Sequence, residues 1–127
     1  ITNYDGNLKE AFPPQAISIS LEDEIDVSRG DMLVHPDNLP KVNRHFEAML
    51  VWMDEAAMDP YTNFYIKHNT HSTKARLDKI QYRVDVNTLE KSETDFFKLN
   101  EIGRVVITTP EPLYFDAYKK NRQTGAF

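Results

Sequence analysis

Leu21-Glu22-Asp23-Glu24-Ile25-Asp26-Val27-Ser28-Arg29-Gly30-Asp31-Met32-Leu33-Val34 is the stretch whose reading decides the fold. Just before it, Ile17, Ile19 and Leu21 alternate with Ser18, Ser20 and Glu22, the two-residue period of a strand with one buried face. That strand runs into an acidic connection. Ser28 to Asp31 supplies a turn in which Gly30 can take positive φ, and Met32-Leu33-Val34 returns to apolar sequence before Pro36. A strand, a turn and a returning strand of this kind close a small β-barrel.

Downstream lies a seam. His35-Pro36-Asp37-Asn38-Leu39-Pro40-Lys41 combines two prolines with Asp and Asn, a composition that favours an exposed connection. We therefore expect a unit at 1–35, a linker at 36–44 and a second unit at 45–127. A unit of about 35 residues falls below what a single core supports. Residues 1–35 are accordingly expected to be the C-terminal part of a barrel that begins elsewhere.

The second unit reads as strands. Phe46 to Met53 contains six consecutive apolar residues, Ala48-Met49-Leu50-Val51-Trp52-Met53, which predicts a strand covered on both faces. Asp59-Pro60 marks a turn, Phe64 to Lys67 a short strand, and Asn69-Thr70 a hairpin turn. In the long segment that follows, Thr73, Ala75 and Leu77 are odd-numbered, whereas Ile80, Tyr82, Val84 and Val86 are even-numbered. A one-residue β-bulge near Asp78-Lys79 reconciles the two sets, because it lets both face one core. Asn100 to Gly103 opens the strand Val105 to Thr108, and Pro110 and Pro112 bracket a turn before Leu113-Tyr114-Phe115. Tyr118 to Gly125 is a loop or short helix, and a further strand is expected to start at Phe127, so that this barrel lacks its last strand or strands.

Composition narrows the classes. The 127 residues carry a net charge of −5, so no overall charge draws the chain to nucleic acid or anionic lipid. Without cysteine there is no disulfide framework, thiolate nucleophile or thiolate zinc site. No apolar run approaches the roughly 20 residues that span a bilayer, and no signal peptide is recognisable; the expected location is cytoplasmic.

Six quoted stretches share one order and spacing with a known family. Leu21 to Asp31, Val51-Trp52-Met53, Lys74-Ala75-Arg76-Leu77-Asp78-Lys79-Ile80-Gln81-Tyr82-Arg83-Val84-Asp85-Val86-Asn87-Thr88-Leu89, Leu99 to Gly103, Glu111-Pro112-Leu113 and Asn121-Arg122-Gln123-Thr124-Gly125 closely resemble the large, GTP-binding subunits of bacterial sulfate adenylyltransferases. The resemblance implies an all-β chain of antiparallel β-barrels of the translation-factor type, like the second and third domains of elongation factor Tu. It also implies a role in GTP-driven conversion of ATP and sulfate to adenosine 5′-phosphosulfate and pyrophosphate, the entry step of sulfate assimilation. In such assemblies the small subunit carries adenylyl transfer and ATP, while GTP and Mg2+ belong to a GTPase domain. Some large subunits are fused to adenylylsulfate kinase.

This stretch itself has no G-x-x-x-x-G-K-[ST] run and only four glycines, at 6, 30, 103 and 125, so it is expected to bind no cofactor and to hold no catalytic residue. Glu22, Asp23, Glu24 and Asp26 lack calcium-loop spacing and read as a solvated turn. His68 and His71 could approach across a hairpin, but no third ligand completes a zinc set, and no metal is expected. Arg29-Gly30-Asp31 reads as a turn rather than an adhesion signal. Trp52, in its apolar run, reads as core rather than as a base-stacking platform.

The basic residues are the candidate site. Lys74, Arg76, Lys79 and Arg83, with Lys67 nearby, cluster in an otherwise acidic chain. They read either as a solvated strand face or as a docking surface for an acidic partner, the small catalytic subunit or the chain's own GTPase domain. Nucleic acid is not expected, because it normally meets a wider basic footprint. The alternative function is a translation-type GTPase barrel binding RNA or a ribosomal partner. Unpaired strand edges around Ile17 to Leu21 would also allow a weak homodimer.

Overall fold

The His71-to-Val84 alternation forms one of the two longest strands of the protein. In the computed structural model, which describes all 127 residues, it is β5 (His71–Val84), and it pairs antiparallel with β7 (Ile102–Phe115). Around them lie β3 (Lys41–Val51), β4 (Phe64–His68) and β6 (Lys91–Ser92), while β1 (Thr2–Asn3) and β2 (Gly6–Asn7) form a separate ribbon. The main sheet has the order β3-β7-β5-β4, with β6 added to β5. The fold class expected from the sequence, all-β with antiparallel pairing, is what the chain adopts. The one helix, α1 (Arg122–Gly125), is a single turn capped by Asn121, whose side chain accepts from the Gln123 and Thr124 amides.

The bulge at Asp78 is present. Leu77 pairs with Ile107 and Lys79 with Val106, which leaves Asp78 as the extra residue. A second bulge follows, because Ile80 pairs with Val105 and Tyr82 with Arg104, leaving Gln81 extra. Bulges bend a strand and increase its twist. The sheet curls until Trp52, just past β3, stacks edge-on against Phe64 of β4 with ring centroids 5.9 Å apart. Its inner face holds Met58, Ile66, Ala75, Phe97, Val105, Ile107 and Leu113. Trp52 is half-buried against this core, and its Nε1–H donates to the Ala56 carbonyl at 2.8 Å. The hairpin turn also forms, with His68 opposite His71 and Asn69 at φ +52°.

Four expectations are corrected. Ile17 to Leu21 is not a strand: a single antiparallel bridge joins Ser18 to Thr2, and Ile19 and Leu21 are exposed. Alternation specifies a strand only where a neighbouring strand accepts its backbone groups, and residues 1–40 offer only the two-residue strands of the β1–β2 ribbon. The edge expected to pair two copies is therefore not formed there; the free edges belong to β3 and β4. Second, the apolar run in β3 is covered on one face only. Phe46, Ala48, Leu50 and Trp52 pack inward, while Met49, Val51 and Met53 stand in solvent.

Third, Pro110 and Pro112 do not bracket a turn, since β7 runs through both. Pairing with β5 ends at Thr108 and pairing with β3 lapses between Thr108 and Leu113, so these prolines sit where no ladder amide is needed. Fourth, β3 begins at Lys41, so the last four residues of the expected linker at 36–44 are strand. By contrast, the Ser28-to-Asp31 turn closes as read. Asp31 N–H donates to the Ser28 carbonyl at 3.1 Å, the Asp31 carboxylate accepts from the Ser28 amide at 2.8 Å, and Gly30 takes φ +104°.

Candidate functional site

The two bulges sort the basic residues onto different faces. Lys74 and Arg76 alternate with the inward Thr73, Ala75 and Leu77, and both point to solvent. Lys79 lies opposite Val106 on the same outer face and is also exposed. Arg83 instead pairs in register with the buried Gly103, and its Nη1 donates to Glu101 Oε1 at 2.9 Å. Three of the four expected residues thus share a face, and the fourth lies apart, held by a carboxylate.

Arg76 is held in place. Its Nε donates to Asp78 Oδ1 at 2.7 Å, and the Thr108 hydroxyl donates to the other Asp78 oxygen. His45 Nδ1 lies 2.8 Å from Thr108 Oγ1 and 3.4 Å from Asp78 Oδ2. Because the Thr108 proton is directed at Asp78, His45 must donate from Nδ1, which leaves Nε2 toward solvent. The Thr108 hydroxyl first, and Arg76 after it, hold the Asp78 carboxyl below its ordinary range.

A second network lies beside it. Glu47 accepts from Gln81 Nε2 at 2.7 Å and from Arg104 Nε at 2.9 Å, and these bonds, Gln81's first, lower its pKa. Glu47, followed by the Tyr82 hydroxyl, raises that of Arg104. Lys91 Nζ sits 4.6 Å from the centre of the Tyr82 ring, within cation–π reach. Sequence reasoning missed His45, Thr108, Glu47, Arg104 and Gln81. They meet only through a cross-strand register spanning 30 to 63 residues, and the outward parity of Arg104 within Val105 and Ile107 was the one local signal.

A recess of about 260 Å³ opens beside Arg76, lined by Asn63, Lys74, Arg76, Thr108, Thr109 and Pro110. A larger one, about 390 Å³, lies between Gly30 to Leu33 and the β4–β5 turn, where the two turn histidines stand. His68 is buried, with Nε2 2.8 Å from the Thr124 carbonyl, so it donates there and serves the fold. His71 Nε2 is 3.3 Å from Glu111 Oε2, at ion-pair distance but without hydrogen-bond geometry. The two imidazoles share no third ligand; no group of three metal-binding side chains occurs. The acidic residues at 22–26 are all exposed and form no ion pair, and no helix is long and apolar enough to cross a membrane.

Comparison with known proteins places this geometry. Residues 45–127 match the family model described as the GTP-eEF1A C-terminal domain-like domain. The whole chain is 59% identical to sulfate adenylyltransferase subunit 1 of Bacteroides fragilis, covering 27% of that protein. It is 54% identical over 136 aligned residues to the same subunit of Bacteroides thetaiotaomicron, 28% of its length. It is 44% identical to the bifunctional enzyme CysN/CysC of Mycobacterium tuberculosis, covering 21% of it. The chain thus spans about a quarter of the length of these relatives, and the resemblance read from its motifs is confirmed.

Proposed function

We start from the fact that this chain belongs to the GTP-eEF1A C-terminal domain-like family, and propose that it is a non-catalytic barrel region of the GTPase subunit of a sulfate adenylyltransferase. In this reading the parent assembly is a cytoplasmic nucleotidyltransferase that joins ATP and sulfate into adenosine 5′-phosphosulfate and releases pyrophosphate. GTP and Mg2+ bind a separate GTPase domain, and ATP binds the small catalytic subunit. Residues 1–35 belong to the end of a first barrel, 36–44 lead out of it, and 45–127 form most of a second. The observation that carries this reading is 59% identity along the full 127 residues to a protein named for that activity.

The barrel contributes rigidity and a surface. Its outer face presents Lys74, fixed by the β4–β5 ladder, and Arg76 and Lys79, fixed by the β5–β7 ladder, to an acidic face of the small subunit or of the GTPase domain. Arg83, committed to Glu101, braces the end of the strand instead. The test is reconstitution of the parent subunit with its small partner. GTP-dependent formation of adenosine 5′-phosphosulfate is expected, while this 127-residue chain alone gives no heat with GTP and Mg2+ in titration calorimetry. Co-purification with tRNA and no sulfate-dependent release of pyrophosphate would favour a translation-type barrel and overturn the proposal.

A further inference from the structure

The recess beside Arg76 is lined by two cationic side chains, Arg76 and Lys74. Arg76 donates only Nε to Asp78, and Asp78 is itself fixed by Thr108, so the guanidinium plane is set while its two terminal amino groups have no partner. Such a plane presents two parallel donors, the geometry that matches a carboxylate. Lys74, two residues earlier on the same outward face, forms no ion pair in the fold. Asn63 and Thr108 add polar groups to the wall, and the volume of about 260 Å³ admits one acidic side chain. No carboxylate lines the recess, and Asp78, which holds Arg76 from outside it, is already occupied by Arg76 and Thr108.

We propose that this recess receives an Asp or Glu side chain from an acidic surface of the small catalytic subunit, with Arg76 forking the carboxylate and Lys74 steering it in. The inference rests on the docking role proposed above and narrows it to two residues. A protein carboxylate fits better than a nucleic-acid backbone, because the free cations here number two, in a chain of net charge −5, too few to track a row of phosphates.

The experiment uses the full parent subunit and its small catalytic partner, with association and dissociation rates measured across a salt series. Lys74→Glu and Arg76→Glu should each slow association by roughly tenfold at low salt, with a flatter salt dependence. Arg76→Lys keeps the charge and loses the fork, so it should speed dissociation while leaving association near the parent rate. The Lys74 side chain makes no hydrogen bond or ion pair in the fold, so its reversal reads docking even if an Arg76 variant folds poorly. If Lys79→Glu slows association while both recess reversals do not, the recess assignment falls and the docking role stands. If none of the three matters, the recess assignment and docking on the small subunit both fall.

Discussion

Residues 1–40 and residues 41–127 are built on different terms. All ten buried residues lie between Met58 and Leu113 of the second region, and none lies in the first. The first region is held by short-range devices: the β1–β2 ribbon, the Thr2–Ser18 bridge and the Ser28-to-Asp31 turn. The second is held by strands paired across tens of residues around one apolar face. Where a sheet is present, alternation becomes structure; where it is absent, the same alternation stays exposed chain. Ile17 to Leu21 and Thr73 to Leu77 share the pattern and differ in having partners.

The largest expected effect tests that asymmetry directly. Phe97 is fully buried, so Phe97→Ala should destabilise the chain by about 3–5 kcal/mol, whereas Leu33→Ala, at a 64% exposed residue, should stay within about 0.5 kcal/mol. Chemical denaturation of the two variants checks this, and equal losses would mean that residues 1–40 share the core after all.

Gly30→Ala sharpens the comparison at the joint between the regions. A Cβ there would lie 2.6 Å from His71 Nδ1, and φ +104° disfavours any L side chain. The cost should be about 1–2 kcal/mol, localised to the contact of the turn with the β4–β5 hairpin. Faster amide exchange at Asp31 to Leu33, with β5 and β7 protection unchanged, is the expected readout. Loss of protection throughout β5 would show instead that the leading region supports the sheet.

The smallest effect concerns acid. The Asp78 carboxyl is held low in the folded protein by the Thr108 hydroxyl and then Arg76, so its contribution is complete above the ordinary carboxylate value and is lost as pH falls through the lowered one. Glu47 and Asp85 act in the same direction, Glu47 through Gln81 and Asp85 through the Thr88 and Asn87 amides. Denaturation midpoints should therefore drop as pH goes below about 4. Asp78→Asn should lower the midpoint at pH 7 and show a smaller further drop at pH 3. An unchanged pH dependence in that variant would remove Asp78 from the network.

Local signals in the sequence were sufficient where the cause was local. The Asp78 bulge was legible because one extra residue must invert parity, and the Asn69-Thr70 turn because those residue types favour it. The single-sided burial of β3 was not legible, since an apolar run does not say which neighbours exist to cover it. The prolines misled for a related reason: Pro110 and Pro112 forbid ladder amides, yet pairing lapses on both sides of them and no amide is required. At the candidate site, Lys74, Arg76 and Lys79 could be read from charge alone. Their separation from Arg83, and the Asp78–Thr108–His45 support, depend on which residues of β3 and β7 stand opposite, which nothing within a short window specifies.

The position of β7 also governs the order in which the molecule can assemble. β7 is the last strand of the sheet in the chain and lies between β3 and β5. On a ribosome β4 and β5 can zip as a hairpin as soon as they emerge, but β3 has no partner until roughly fifty more residues have been made, several seconds at ordinary elongation rates. Through that interval an eleven-residue strand with apolar side chains on both faces is unpaired. Arrest of synthesis before Ile102 would therefore leave a sticky nascent chain, and the final strand acts as the latch that ends its exposure.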